Sequence, residues 1–294
     1  MTLAITMQSC FTGIEGTSKI SLSKKDLTII APTEEETFMM ALAPPAIKDW
    51  YQGRRFLVTD DKFRYVIEGS MRNPVVKGDT LNFLEIEKRY SAGGGESSIL
   101  KFLHKDNIVS YPLEKKVEDA KNEITSAQLP MLIDLEVVRA VGEKLEGKKL
   151  WTKTLMWYDD SLQYIKGKKY AEVTVSNVTT GNTFFPLLIQ FVGKDRQTGY
   201  YLMNFGNSGN ESRSFSKLFS LTDPRNNYRQ IKDENWEAIQ KEEVRPGMTK
   251  EECRLSKGNP EDLDSGHSYS STMEIWKYSD GTILRFIDGL LISQ

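Results

Sequence analysis

Apolar and polar residues alternate through two stretches in the middle of the chain, GDTLNFLEIEKRYSAGGGESSILKFLHKD at 78–106 and GKKYAEVTVSNVTTGNTFFPLLIQFVGKD at 167–195. Period-two alternation broken by a glycine-rich or Thr-Gly-Asn turn is the pattern of a β-hairpin. Laid over each other without a gap at an offset of 89 residues, the two stretches place apolar residues opposite apolar residues. Leu81 meets Tyr170, Leu84 meets Val173 and Ile86 meets Val175. Farther on, Ile99, Leu100, Phe102 and Leu103 meet Leu188, Ile189, Phe191 and Val192, and Tyr111 meets Tyr200. Upstream, WYQGRRFLVTDDKFRYV pairs loosely with KLEGKKLWTKTLMWYD, each entering through a glycine and two basic residues. The pattern predicts an internal duplication of a small β module with an entry strand, a middle strand, a hairpin and a return strand.

Four or five short strands in some 55–65 residues resemble, in architecture alone, an SH3-like barrel. Under this alignment the segment SAGGGESS (91–98) corresponds to the plain turn VTTGNTFF. It also lacks the Lys-Ser/Thr of a phosphate-binding loop, so a hairpin tip is expected there. Helical spacing surrounds the modules. PTEEETFMMALAPPAIKDW carries a capping box at Thr33 and Glu36 and stops at Pro44-Pro45. EKKVEDAKNEITSAQLPMLIDLEVVRAVGEKL is charged first and apolar later, broken by Pro130, with Leu132, Leu135, Val138 and Leu145 near helical spacing. Each helix is expected to pack on the module that follows it.

From about Lys232 the pattern changes. NWEAIQKEEVRPGMTKEECRLSKGNPEDL predicts two short helices around Pro246-Gly247, the second capped by Thr249 and Glu252. MEIWKYSDGTILRFIDGLLISQ then predicts strands separated by the turn dipeptides Asp280-Gly281 and Asp288-Gly289. The whole chain is thus expected to be α+β and β-rich, with domains at 32–113, 114–228 and 229–294: a helix plus first β module, a helix plus second β module, and a C-terminal ααβββ unit.

Charge adds an exclusion. With 39 basic against 41 acidic residues, the chain lacks the basic excess of a protein built around nucleic acid, and no nucleic-acid partner is expected. No apolar run is long enough to span a membrane as a helix. Of the two cysteines, Cys253 falls on the predicted helix after Gly247 beside Met248 and Leu255, where it reads as a small core hydrophobe.

Cys10 is different. MTLAITMQSC has an apolar stretch, then Ser9 before the cysteine, and FTGIEGTSKISLSKKD after it has a flexible tether composition. This resembles the cleavage box of bacterial lipoproteins, which implies acylation at Cys10, a residual signal segment at 1–9 and a tether at 10–31. No Lys or Arg precedes Cys10 and the apolar run is short. For the lipoprotein reading the simplest repair is that translation starts upstream of Met1; the competing reading makes residues 3–10 an ordinary edge strand. Phe11, not Asp, follows the cysteine, which favours the outer membrane.

The C-terminal pattern VRPGMTKEEC, with GNP shortly after it and Trp276, Tyr278, Leu284, Phe286, Asp288, Gly289 and Leu291 beyond, resembles the SmpA/OmlA (BamE-like) domain of small outer-membrane lipoproteins. Lys257 and the polar stretch EDLDSGHSYSST depart from that family. The resemblance implies a noncatalytic envelope domain that touches other proteins; a related fold in secreted inhibitors keeps enzyme inhibition as an alternative.

Catalytic, metal-binding and cofactor-binding residues are not expected. His104 and His267 fall in different modules, so no local zinc set forms. Asp262, Asp264, Ser265, His267 and Ser268 share one stretch that reads as a solvated loop. Asp60-Asp61 and Asp159-Asp160 lack further oxygen ligands for calcium. The expectation is a noncatalytic, lipid-anchored envelope protein acting as a scaffold. Its partners are the membrane and either an envelope protein or peptidoglycan or another glycan.

Overall fold

The computed structural model describes residues 32–69, 73–90, 94–205, 213–267 and 271–294, and the chain there is α+β. In order, the elements are α1 (Glu34–Met40), β1 (Arg55–Val58), β2 (Glu68–Gly69), β3 (Thr80–Tyr90), β4 (Glu96–His104), β5 (Asn107–Leu113), α2 (Val117–Glu123) and β6 (Leu132–Asp134). Next come α3 (Leu135–Leu145), β7 (Lys149–Thr152), β8 (Met156–Tyr158), β9 (Tyr164–Lys166), β10 (Glu172–Thr180), β11 (Leu187–Gly193), β12 (Thr198–Met203), α4 (Phe215–Leu218) and β13 (Phe219–Ser220). The chain closes with α5 (Asp233–Gln240), α6 (Lys250–Lys257), β14 (Asp262–His267), β15 (Thr272–Lys277), β16 (Ile283–Ile287) and β17 (Leu290–Ser293).

The first sheet has the order β2-β5-β4-β3-β1-β6 and the second β9-β8-β12-β11-β10-β7-β13. Strand for strand these are one arrangement, with β9 added at the edge of the second. The entry strands β1 and β7 even share one burial pattern, Phe56 and Val58 inside in one, Leu150 and Thr152 in the other. A β-bulge falls at the same place in both middle strands, between Phe83 and Glu85 and between Val175 and Asn177. A bulge inserts one residue and resets which side chains face the core.

The register corrects the ungapped alignment. Leu81 pairs with Phe56 of β1 as Val173 pairs with Leu150 of β7, so Leu81 corresponds to Val173, and Phe83 to Val175. Leu81–Tyr170, Leu84–Val173 and Ile86–Val175 were therefore three residues out. Phe102 and Phe191, opposite the bulged strands, do keep the offset. The difference is a shorter β10–β11 hairpin. Tyr111 pairs with Leu100 as Tyr201 pairs with Ile189, so Tyr201, not Tyr200, is its counterpart.

Two helix expectations also change. β6 pairs with β1, so residues 132–134 complete the first sheet from beyond the expected boundary at 113, and Leu132 lies on a strand. α1 does not join the module that follows it: Met39 packs in the second core, with Val137, Val141, Trp157, Phe191 and Phe215. α3 behaves as expected, laying Val137, Val138, Val141 and Leu145 on the second sheet. Separately, Phe56, Phe63, Leu81, Leu100 and Phe102 centre the first core.

In the C-terminal part, α5 and α6 cover one face of the antiparallel meander β14-β15-β16-β17. This is ααββββ, one strand more than expected. β14 is the polar stretch read as a loop. Its register with β15 puts Asp262 opposite Lys277 and Asp264 opposite Ile275, and Lys277 bonds both carboxylates at 3.1 and 2.7 Å. An edge strand with a solvated outer face carries few apolar residues, which hides its alternation.

Candidate functional site

The GMTKEEC motif builds this last unit. Gly247, at φ +87°, turns the chain and donates to the Leu291 carbonyl, while the Leu291 amide donates to Met248. Thr249 and Glu252 form the reciprocal capping box, and Asn235 of α5 donates to the other Glu252 oxygen at 2.9 Å. Cys253 is fully buried among Trp236, Met248 and Trp276, and burial pushes its thiol up to about 12. Each conspicuous residue of the motif on that helix is thus used in packing or capping.

Among the described residues, the opposite face of the sheet carries no helix. Trp276, Leu284, Phe286 and Leu291 point to α5 and α6, so their neighbours point outward. Apart from Lys277 and Arg285, those neighbours are aliphatic. Met273 and Leu290 are 47% exposed, Ile292 46% and Ile283 38%, with Ile275 and Ile287 half-buried between them. The register aligns Met273, Ile287 and Leu290 in one cross-strand row, and Ile275 with Arg285 in the next. A one-sided antiparallel sheet normally presents polar residues to water. Here three adjacent strands are apolar on both faces, and contiguous apolar patches of this kind mark contact surfaces.

This face was missed in the sequence, although ILRFIDGLLIS carries its signal: a strand pair that does not alternate is apolar on both sides. Arg285 stands in its middle, exposed, with no counter-ion among the described residues. By contrast Lys277, on the same face, holds two carboxylates.

A second feature is a cleft of about 310 Å³ between the second sheet and α5, lined by Trp151, Tyr170 and Trp236. Lys194 pairs with Glu172 at 2.8 Å and Lys168 approaches Asp195 at 3.8 Å around its rim. The unit is held there by Lys169, which donates to the Leu255 and Ser256 carbonyls at the end of α6 and pairs with Glu242. A lysine at a helix C-terminus satisfies orphan carbonyls and meets the negative end of the dipole.

The other singled-out residues are scattered. Cys10 and the glycine-tip residues 91–93 lie outside the described residues, as does Ser268. His104, the last residue of β4, is buried with Nε2 2.9 Å from the Asp79 carboxylate. Burial opposes ionisation of Asp79, but the Val76 amide, His104 and Lys105 hold it below the usual carboxylate range. The corresponding position, at the end of β11, is Gly193, so this pair belongs to the first hairpin alone. Asp60 caps the turn at Asp61–Tyr65 and Asp61 accepts from the Lys77 amide. Asp159 accepts from the Ser161 and Gln163 amides. No group of three or more His, Cys, Asp or Glu converges on a metal position among the described residues.

No family model, curated protein or solved structure matches the chain.

Proposed function

We propose that this protein is a noncatalytic envelope lipoprotein, tethered through Cys10, that binds a partner through the open aliphatic face of its C-terminal sheet. The observation that carries the reading is that face, whose six aliphatic side chains have no covering element among the described residues. In the same reading the two sheets are SH3-like barrels: in each, the closing strand returns beside the entry strand, and a three-strand meander follows on its other side. The C-terminal unit is BamE-like, with two helices on a meander and the capped Gly-Met-Thr helix in place. Lipid chains would confine the protein to a membrane surface and raise its effective concentration for a neighbour.

The test uses the gene with its upstream sequence, expressed in a Gram-negative host beside Cys10→Ala. The expected intact mass is that of a chain beginning at Cys10 and carrying a diacylglyceryl group, found in the membrane fraction and lost in the mutant. An unmodified chain that retains residues 1–9 overturns the tether.

The aromatic cleft favours a second reading, glycan binding, since a half-buried Trp151 ringed by ion pairs offers a stacking surface with polar edges. Retention on purified peptidoglycan, abolished in Trp151→Ala, is the result that reading expects. Wild-type protein that washes through removes it.

A further inference from the structure

We propose that the occupant of the open C-terminal face is the same face of a second copy of this chain. The proposal rests on the reading of that face as a binding surface and names what binds it. The first reason is charge. Among the described residues, the outer face of these strands carries two carboxylates, Asp262 and Asp264, and two cations, Lys277 and Arg285, so the surface is neutral and two copies meet without net repulsion. The charges are also separated. Lys277 sits against both acids, leaving negative charge in excess along β14, while Arg285 on β16 has no counter-ion among the described residues. Each copy therefore offers what the other lacks.

Register then selects the arrangement. Asp264, Ile275 and Arg285 lie in one cross-strand row, the middle of the three rows on the face. An isologous pair with its two-fold axis along the strands, between β15 and β16, lays β16 of one copy over β15 of the other. Arg285 then lies above the row holding Ile275 and Asp264 of the second copy. An axis across the strands would instead set Arg285 against itself and is disfavoured by like charge. Aligned packing of sheets about 10 Å apart suits the first arrangement.

Size sets the strength. Four strands about 4.8 Å apart and some six residues long make a face of roughly 20 by 20 Å. That is smaller than the ~800 Å² per partner of a standard interface, so the pair is weak and reversible, with a dissociation constant on the order of 10–100 µM. Confinement to a membrane surface would bring such an affinity into use.

The experiment is sedimentation velocity on the full 294-residue chain from about 1 to about 300 µM, a range that brackets the expected constant. A reversible monomer–dimer equilibrium is expected. Ile287→Lys should weaken it at least ~10-fold, the equivalent of about 1.4 kcal/mol. Arg285→Glu, at an exposed position outside the core, should weaken it about 5-fold, and the double change Arg285→Glu with Asp264→Lys should restore it by reversing the contact. A chain that stays monomeric at the highest concentration overturns the proposal, as does a dimer indifferent to Ile287→Lys and Arg285→Glu. Neither result bears on the lipid tether, which the Cys10 mass measurement judges separately.

Discussion

Asp134→Ala is expected to lower the stability of the folded chain by about 3–5 kcal/mol, read as a drop in the urea midpoint at unchanged slope. The Asp134 side chain is 0% exposed and does two jobs. One oxygen accepts from Arg54 Nε at 2.9 Å and Nη2 at 2.7 Å; the other accepts from the backbone amides of Glu136 and Val137. Alanine removes the N-cap of α3, worth about 1 kcal/mol, and strands a guanidinium whose side chain is only 8% exposed. The stranded charge is the larger part, since breaking one side of a buried pair leaves the other without its counter-ion. Asp134→Asn keeps an acceptor for the cap and should fall between wild type and alanine. The residue also ends β6 of the first sheet and begins the helix that packs in the second core, so its loss is expected to loosen both. A cost below about 1 kcal/mol would mean that water reaches the pair in solution.

That junction also explains part of what the sequence concealed. MLIDLEVV is an apolar run in which Leu132 falls in step with the helical spacing of α3, yet Leu132 and Ile133 are on a strand and the helix begins directly at Leu135. The signals were Pro130 and an Asp at the cap position, local chemistry that a spacing argument overrides. Where local chemistry was itself the evidence, the reading was sound. The boxes at Thr33–Glu36 and Thr249–Glu252 cap helices as their spacing required, because two reciprocal hydrogen bonds need no distant partner. Long-range facts were harder. The duplication was legible as matching hairpins, but a bulge in each middle strand and a shorter second hairpin displaced the match by three residues in β3 and left it correct in β4. α1 packs on the second core, a choice made by tertiary fit that adjacency in sequence does not reveal. β14 escaped because its outer face is acidic and its only apolar side chain is Leu263. The aliphatic outer face was present as missing alternation in ILRFIDGLLIS. Turn dipeptides mark where strands begin and end, and they carry no information on what covers the strands between them.

Gly167→Ala tests the opposite kind of failure, excess volume. A Cβ added at Gly167 would lie 2.2–2.3 Å from the Trp157 indole, far inside contact distance. The ring has little room to retreat. It is 2% exposed, its Nε1 donates to the Thr154 carbonyl at 3.2 Å, and it meets Phe191 edge-on at 5.0 Å. Near the same ring Gly199 is also tight, though less so: its own added Cβ would sit 2.8 Å from Trp157 and 2.7 Å from Phe191. Overpacking a core in which neighbours yield costs about 1–3 kcal/mol, and with the indole held this way Gly167→Ala is expected at the top of that range, about 3 kcal/mol. Gly266→Ala is the control. Its added Cβ meets nothing within 4 Å, so its cost should stay within about 0.5 kcal/mol. A cycle with Trp157→Leu separates clash from backbone strain, because the smaller side chain vacates the space that the new methyl needs. In that background Gly167→Ala should lose most of its penalty, a coupling of about 2 kcal/mol between directly opposed groups. If the penalty persists undiminished, the backbone at Gly167 and not the indole is what excludes a side chain.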